Sequence, residues 1–240
     1  MPDKHRTGML YRLTKSKFIL GLQCDKALYL DVYKPKLAYY SPETLNRFRK
    51  GRNFESKIKS HFSNGIDVSM ALGKKIDKYP EFTSNLLKKN EEITLFEAGF
   101  VFNEVLVLAD IVHKDIEGNI FIYEIKNSLS VKEVFCHDIY LQHYVIAGSL
   151  MSLFQDSPLT LKSFSIIYND GKEEGVYREM LQDAKKAEET VSMNVEHFKK
   201  VLQGMEPNIA TGNHCLTPYT CPFMQYCEGR KNVQLELPKL

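Results

Sequence analysis

Two apolar runs, Val105-Leu106-Val107-Leu108-Ala109 and Ile120-Phe121-Ile122-Tyr123, constrain this chain more than any other feature. Unbroken runs of this kind read as strands buried on both faces, so each needs cover above and below. Phe100, Phe102, Val105, Val107 and Ile111 read as one strand starting at Gly99, and Ile120–Ile125 as the next. The intervening Lys114-Asp115-Ile116-Glu117-Gly118-Asn119 reads as a hairpin connection, with Gly118 where a positive φ is wanted. A three-residue loop pairs Asp115 with Asn119, and counting outward sets Asp110 opposite Glu124. Directly opposed residues have Cβ atoms about 5 Å apart. Period-two alternation puts Lys126 on the face of Glu124 and Ile125 on the other.

Helices are expected on either side of this hairpin. Thr14 or Ser16 is a candidate cap for a helix over Lys17–Tyr33, and Ser41 caps a second, with Pro42 at its first position. That second helix runs past Gly51 through Phe54, Ile58 and Phe62 to an Asn64-Gly65 turn. Ser130-Val131-Lys132-Glu133 has the spacing of a capping box and opens a long helix to about Phe154. Ser163–Tyr168 reads as a further strand and Tyr177–Gln203 as a long charged helix. Pro207 to Cys227 reads as a loop-rich segment, and Glu228–Leu240 as a loosely held end. The order implies a mixed α/β fold. With 240 residues the chain is long enough for a sizeable core without a staple, and a single domain over 1–240 is expected. It divides into an N-terminal segment (14–33), a core (41–180) and a cysteine segment (207–227).

The formal charge is +2, from 32 Lys+Arg against 30 Asp+Glu, so nucleic-acid binding would need a local basic patch. Arg47, Arg49, Lys50, Arg52, Lys57 and Lys59 form such a run, which equally suits a solvated helix face. No apolar run approaches the roughly 20 residues of a membrane span. The basic N-terminus lacks an apolar signal core, so a cytoplasmic location and no membrane partner are expected. The odd count of five cysteines argues against a disulfide framework. Three of them, Cys215, Cys221 and Cys227, fall within thirteen residues.

Asp110 and Glu124 would repel each other unless a cation sat between them. Mg²⁺ is commonly held by one or two carboxylates plus substrate phosphates, and a neighbouring lysine can stabilise phosphoryl charge or orient a water. The bland alternative is a solvated charged face. Against it stand the buried runs that these residues terminate, since a charge ending a buried strand needs a partner.

A strand-end Asp110, a hairpin, then Glu124-Ile125-Lys126 resembles the PD-(D/E)XK nuclease core in its RecB-like branch. The resemblance implies a restriction-endonuclease-like α/β fold, a mixed sheet flanked by helices. The branch carries Gly-x-x-x-His on an upstream helix; here Gly51-Arg52-Asn53-Phe54-Glu55 puts Glu55 in the histidine's place. It also carries Gln-x-x-x-Tyr on the helix after the Glu-x-Lys strand. Gln142 matches, Ile146 stands at the tyrosine's position, and Tyr144 is the nearest tyrosine. The segment Leu13–Leu30 with Cys24, together with Cys215, Cys221 and Cys227, resembles the iron–sulfur members of the branch, including the AddB nuclease domain and CRISPR-associated RecB-like exonucleases. Those cysteines hold a 4Fe–4S cluster; the two five-residue gaps here replace the commoner two-residue gap. A Cys₄ zinc staple is the alternative, and Cys136 is expected to be a small buried residue.

The resemblance therefore implies a Mg²⁺- or Mn²⁺-dependent deoxyribonuclease, an exonuclease on single strands or DNA ends. Asp110, Glu124 and Glu55 would be metal ligands, Lys126 would orient or activate water, and Gln142 would orient the substrate or Lys126. DNA is the expected partner, with a protein partner in a repair, recombination or CRISPR-type complex. The second reading is a nuclease-like module that binds DNA or protein without cutting. His137, His143 and His214 are expected to be polar and non-catalytic.

Overall fold

The computed structural model describes residues 13–62, 64–155, 159–169, 171 and 175–230. The basic N-terminus before Leu13 and the end after Arg230 lie outside the described residues. Leu13–Thr14 (β1) leads into α1 (Lys15–Gln23) and α2 (Asp25–Tyr33), followed by α3 (Pro42–Lys59). Next come β2 (Ile66–Asp67), α4 (Val68–Leu72) and α5 (Tyr79–Leu87), and then three long strands: β3 (Ile93–Phe102), β4 (Val105–Lys114) and β5 (Asn119–Lys126). The helix α6 (Glu133–Leu153) crosses over to β6 (Thr160–Tyr168). β7 (Val176–Glu179), α7 (Leu181–Lys186), α8 (Glu188–Gln203) and the short α9 (Met224–Cys227) complete the fold.

The sheet has the order β2-β3-β4-β5-β6-β7, with β1 added beside β4. β3, β4 and β5 are antiparallel, whereas β5 and β6 run parallel because α6 carries the chain back across the sheet. Both faces are covered, as the apolar runs require. On one, Val112, Ile120, Ile122, Phe164 and Ile166 pack with Ile139, Val145 and Ile146 of α6, and with Phe18 and Phe198. On the other, Ile111, Ile125 and Ile167 pack under Phe54 and Ile58 of α3. The result is an open mixed α/β sheet flanked by helices.

Several expectations change against this structure. The Phe100–Ile111 strand is two strands, joined by a two-residue turn at Asn103 (φ 48°) and Glu104 (φ 61°). Asn tolerates the left-handed region, but a following Glu gives no turn signal. The helix over Lys17–Tyr33 is broken at Cys24, which is extended (φ −168°) and serves as the last cap of α1 and the first of α2. The Ser130 capping box does not form; Lys132 precedes α6 without a side-chain cap. The proposed helix from Tyr177 begins with a strand, because Val176–Glu179 pairs with β6. The Glu179 carboxylate accepts from the backbone N–H groups of Phe164, Met180 and Leu181, so this charge caps α7 instead of covering a helix face. Other expectations match. Ser41 Oγ accepts from Thr44 N at 3.3 Å, Gly118 has φ 84°, and Asp115 N donates to Asn119 O at 3.0 Å. The β4–β5 register is the one counted from that loop, Ile111 opposite Tyr123 and Lys114 opposite Ile120.

Gly148 lets α6 lie close on β3. A Cβ there would stand 2.4 Å from the Phe102 ring. An interior helical Gly→Ala exchange ordinarily gains about 1 kcal/mol, but overpacking costs about 1–3 kcal/mol. Gly148→Ala is therefore expected to lower the urea midpoint at unchanged m-value, and a raised midpoint would contradict this close packing.

Candidate active site

At the end of β4 and β5 the ladder stops after Ile111–Tyr123. Asp110 then turns one carboxylate oxygen onto the backbone N–H of Ile125, at 2.7 Å. Opposite Asp110 across the β3–β4 ladder is Glu97, between the pairs Phe96–Ile111 and Ala98–Ala109. Glu97 has φ 53°, a left-handed conformation that costs a non-glycine residue of order 1–3 kcal/mol and persists only where its surroundings enforce it. Phe96 and Ile111 both pack under α3, and Glu97 and Asp110 join Glu55 of that same helix. Two consecutive residues on each strand thus face α3.

Among the described residues, Glu55, Glu97 and Asp110 are the group whose ligand atoms all lie within 4.8 Å of one another. Lys59 partly neutralises them: its Nζ is 2.5 Å from both Glu55 Oε1 and Glu97 Oε1. Burial, then the Glu124 charge, pushes the Asp110 carboxyl well above the usual range, with Lys15 and Lys126 pulling the other way. Burial likewise raises Glu97, against the pull of Lys59. Carboxylates held this way gain from a divalent cation, which could replace the Lys59 ammonium.

Glu124 belongs to an adjoining group on the α6 side. It is 1% exposed, and one oxygen accepts from Lys126 Nζ at 2.5 Å and Lys15 Nζ at 2.9 Å. The other accepts from Gln142 Nε2 at 2.8 Å. Lys126 Nζ also reaches Asp138 Oδ2 at 2.5 Å, and Gln142 Nε2 reaches Asp138 Oδ1 at 3.2 Å. Burial opposes the Glu124 charge, but Lys126, Lys15 and Gln142 outweigh it and hold its carboxyl far below the ordinary range. The structure therefore joins Glu124, Lys126 and Gln142 as the sequence suggested and places Glu55 with Asp110. It also adds Glu97, Lys59, Lys15 and Asp138.

Lys59 stood in the basic run of α3, and the other three gave uneven sequence signals. Glu97 is the lone charged residue of Ile93–Phe102, and Asp138 lies one helical turn before Gln142. Lys15 meets Glu124 across 109 positions and has no local signal. Tyr144 points elsewhere: its hydroxyl accepts from Asn103 Nδ2 at 2.8 Å and its ring meets Phe102 edge-on. His137 lies 3.8 Å from Glu133, and His143 is buried. His214 gives its backbone carbonyl to Gln23.

Glu55 of the first group and Lys15, Lys126 and Asp138 of the second line a groove of about 860 Å³ between α3 and the cysteine segment. Exposed Arg47, Lys50 and Arg52 line its rim with Phe48, while Arg47 lies over the Tyr219 ring at 4.8 Å and Lys132 over Phe135 at 6.0 Å. Beyond Tyr219, Cys24, Cys215, Cys221 and Cys227 share one apolar cluster with Leu30 and Phe223. Burial first, and then the three neighbouring thiols, push the Cys221 thiol up to about 11. Among the described residues, no group of these cysteines reaches the 4.8 Å spacing that the carboxylates show. Cys136 lies apart, against the main core.

No protein-family model matches the chain, and no curated protein matches it. Among the described residues no helix is long and apolar enough to cross a membrane.

If Glu55, Glu97 and Asp110 hold a divalent ion, Lys59 competes with it. Mn²⁺ titration calorimetry should then show Glu97→Gln binding at least about tenfold more weakly, and Lys59→Met more tightly, than the wild type. Weaker binding in Lys59→Met would show that the lysine supports the site instead of competing for it.

Proposed function

We propose that this chain is a Mg²⁺- or Mn²⁺-dependent deoxyribonuclease of the PD-(D/E)XK type, in the RecB-like branch, acting on single strands or DNA ends. The observation that carries the reading is the convergence of Asp110, Glu124, Lys126 and Gln142 at one end of the sheet, beside Glu55 and at the mouth of a basic groove. The acidic group of Glu55, Glu97 and Asp110 fits a hard cation, because all its donors are carboxylate oxygens. A bound divalent ion would polarise the scissile phosphate and lower the pKa of its water. The chain's own residues supply the rest. Gln142 fixes the orientation of Glu124 from within the core. Lys126 presents a charged donor that can hold an attacking water or meet phosphate charge. The exposed Arg47, Arg49, Lys50 and Arg52 of α3 can track a phosphate backbone, and Phe48 and Tyr219 offer ring faces to unpaired bases.

A second reading, a module that binds without cutting, is favoured by one feature: every Glu124 oxygen is already engaged by Lys15, Lys126 or Gln142. The two separate in one assay. Labelled single-stranded DNA with Mg²⁺ or Mn²⁺ should be cut by the wild type, spared with EDTA, and cut about 10²–10³-fold more slowly by Asp110→Ala or Lys126→Ala. Binding without cleavage on any DNA end would select the second reading.

Cys24, Cys215, Cys221 and Cys227 fit a thiolate-ligated metal group, because burial and mutual proximity disfavour the free Cys221 thiolate until a cation compensates it. We propose a 4Fe–4S cluster here. The preference over a Cys₄ zinc site rests on the resemblance of these cysteine segments to the iron–sulfur members of the branch. Such a group would tie chain positions 24 and 215 together, so its binding energy is folding energy. Anaerobically purified protein should be brown. Cys24→Ser should lose the iron and lower the melting temperature by at least about 5 °C, a loss of roughly 2 kcal/mol at this chain length. Cys136→Ser should do neither. Colourless protein with one equivalent of zinc would replace the cluster but keep the staple.

A further inference from the structure

Lys15 is not an ordinary surface lysine. Its Nζ lies 2.9 Å from Glu124 Oε1 and 3.8 Å from Asp138 Oδ1, with its side chain 27% exposed toward the groove. Lys126 binds the same Glu124 oxygen and the other Asp138 oxygen. Two carboxylates and two ammonium groups therefore alternate in a ring with no net charge. The chain around Lys15 is fixed from several directions. Leu13 N donates to Glu104 O at 3.2 Å, and Phe18 packs edge-on against Phe198 with centroids 5.4 Å apart. Gly21 faces that same ring so closely that a Cβ would lie 2.9 Å from it. At the far end of α1, Gln23 Nε2 donates to the carbonyls of His214 (2.6 Å) and Tyr219 (2.7 Å). The ammonium is thus delivered to Glu124 by a helix anchored at both ends.

We propose that Lys15 is a positioning residue of this centre, supplying the second positive charge that holds Glu124 and Asp138. Lys126 is thereby released from balancing both carboxylates and can turn toward a substrate phosphate. Without Lys15, one ammonium would sit between two carboxylates, and Lys126 would be bound there by roughly twice the opposing charge. The assignment rests on the nuclease reading and concerns the same site. It predicts a loss in turnover rather than in substrate affinity, because the groove's basic rim is untouched.

The test is steady-state cleavage of a single-stranded DNA oligonucleotide with Mn²⁺. Lys15→Met should lower kcat by roughly 10²-fold, the cost of a slightly misplaced catalytic group, with KM within about twofold of the wild type. Lys15→Arg should restore most of it. In Lys15→Met/Asp138→Asn, which is again neutral, kcat should rise about tenfold above Lys15→Met. A packing role would not be rescued by removing a charge from a different helix. If Lys15→Met does not fold, Lys15→Gln takes its place, and adding Asp138→Asn to it must raise kcat by about the same tenfold. Wild-type kcat in Lys15→Met, or a neutral pair slower than both single variants, overturns the proposal and leaves the nuclease reading standing. A wild type that cuts no DNA end with Mg²⁺ or Mn²⁺ overturns both.

Discussion

A carboxylate that is 1% exposed near the end of a central strand must be compensated, and much of this architecture meets that requirement for Glu124. Compensation comes from three separate parts of the chain. Lys126 is two residues along the same strand, Gln142 lies on the crossover helix α6, and Lys15 starts the first helix. Removing any one partner would leave charge in a poorly solvated place, where breaking a buried pair typically costs about 3–5 kcal/mol. The crossover that makes β5 and β6 parallel is what brings Gln142 and Asp138 over the strand end. Topology and charge compensation are therefore one constraint.

What local chemistry dictates was legible in the sequence. Gly118 and Asp115 define the loop, the loop defines the β4–β5 register, and the register carries Asp110 to the end where Glu124 emerges. The Ser41–Pro42 start of α3 was equally readable. Long-range choices were not. Nothing near Cys24 says that a helix must stop there; the extended residue packs in the apolar cluster that also holds Cys215, 191 positions on. Glu104 in a left-handed turn and Glu179 as a helix cap are roles that propensity assigns to other residue types. The counted register holds from Lys114 opposite Ile120 to Ile111 opposite Tyr123, but the ladder ends one pair short of the expected opposition of Asp110 and Glu124, and their side chains diverge. Asp110 is drawn to the Ile125 amide and to Glu55 and Glu97, while Glu124 is drawn to lysines from elsewhere.

The two charged groups differ in balance. The ring of Lys15, Glu124, Lys126 and Asp138 is neutral, whereas in the other group Glu55 and Glu97 share the single Lys59 ammonium beside Asp110. Glu55 of the acidic group and Lys15, Lys126 and Asp138 of the ring line the groove that carries the α3 basic rim. Fields from exposed charges fade within about 8 Å at physiological ionic strength, so attraction and repulsion for a polyanion alternate over a short distance along a single helix.

That alternation has a kinetic meaning on the nuclease reading. On that reading, a strand drawn in by Arg47 and Arg52 would meet the acidic group one helical turn further along, at Glu55, and would be disfavoured there unless a divalent ion were already bound. Encounter would follow a compulsory order, ion first and strand second. Helix α3 would then act as an electrostatic turnstile, its basic turns facing the incoming strand and its acidic turn withholding passage until the ion arrives.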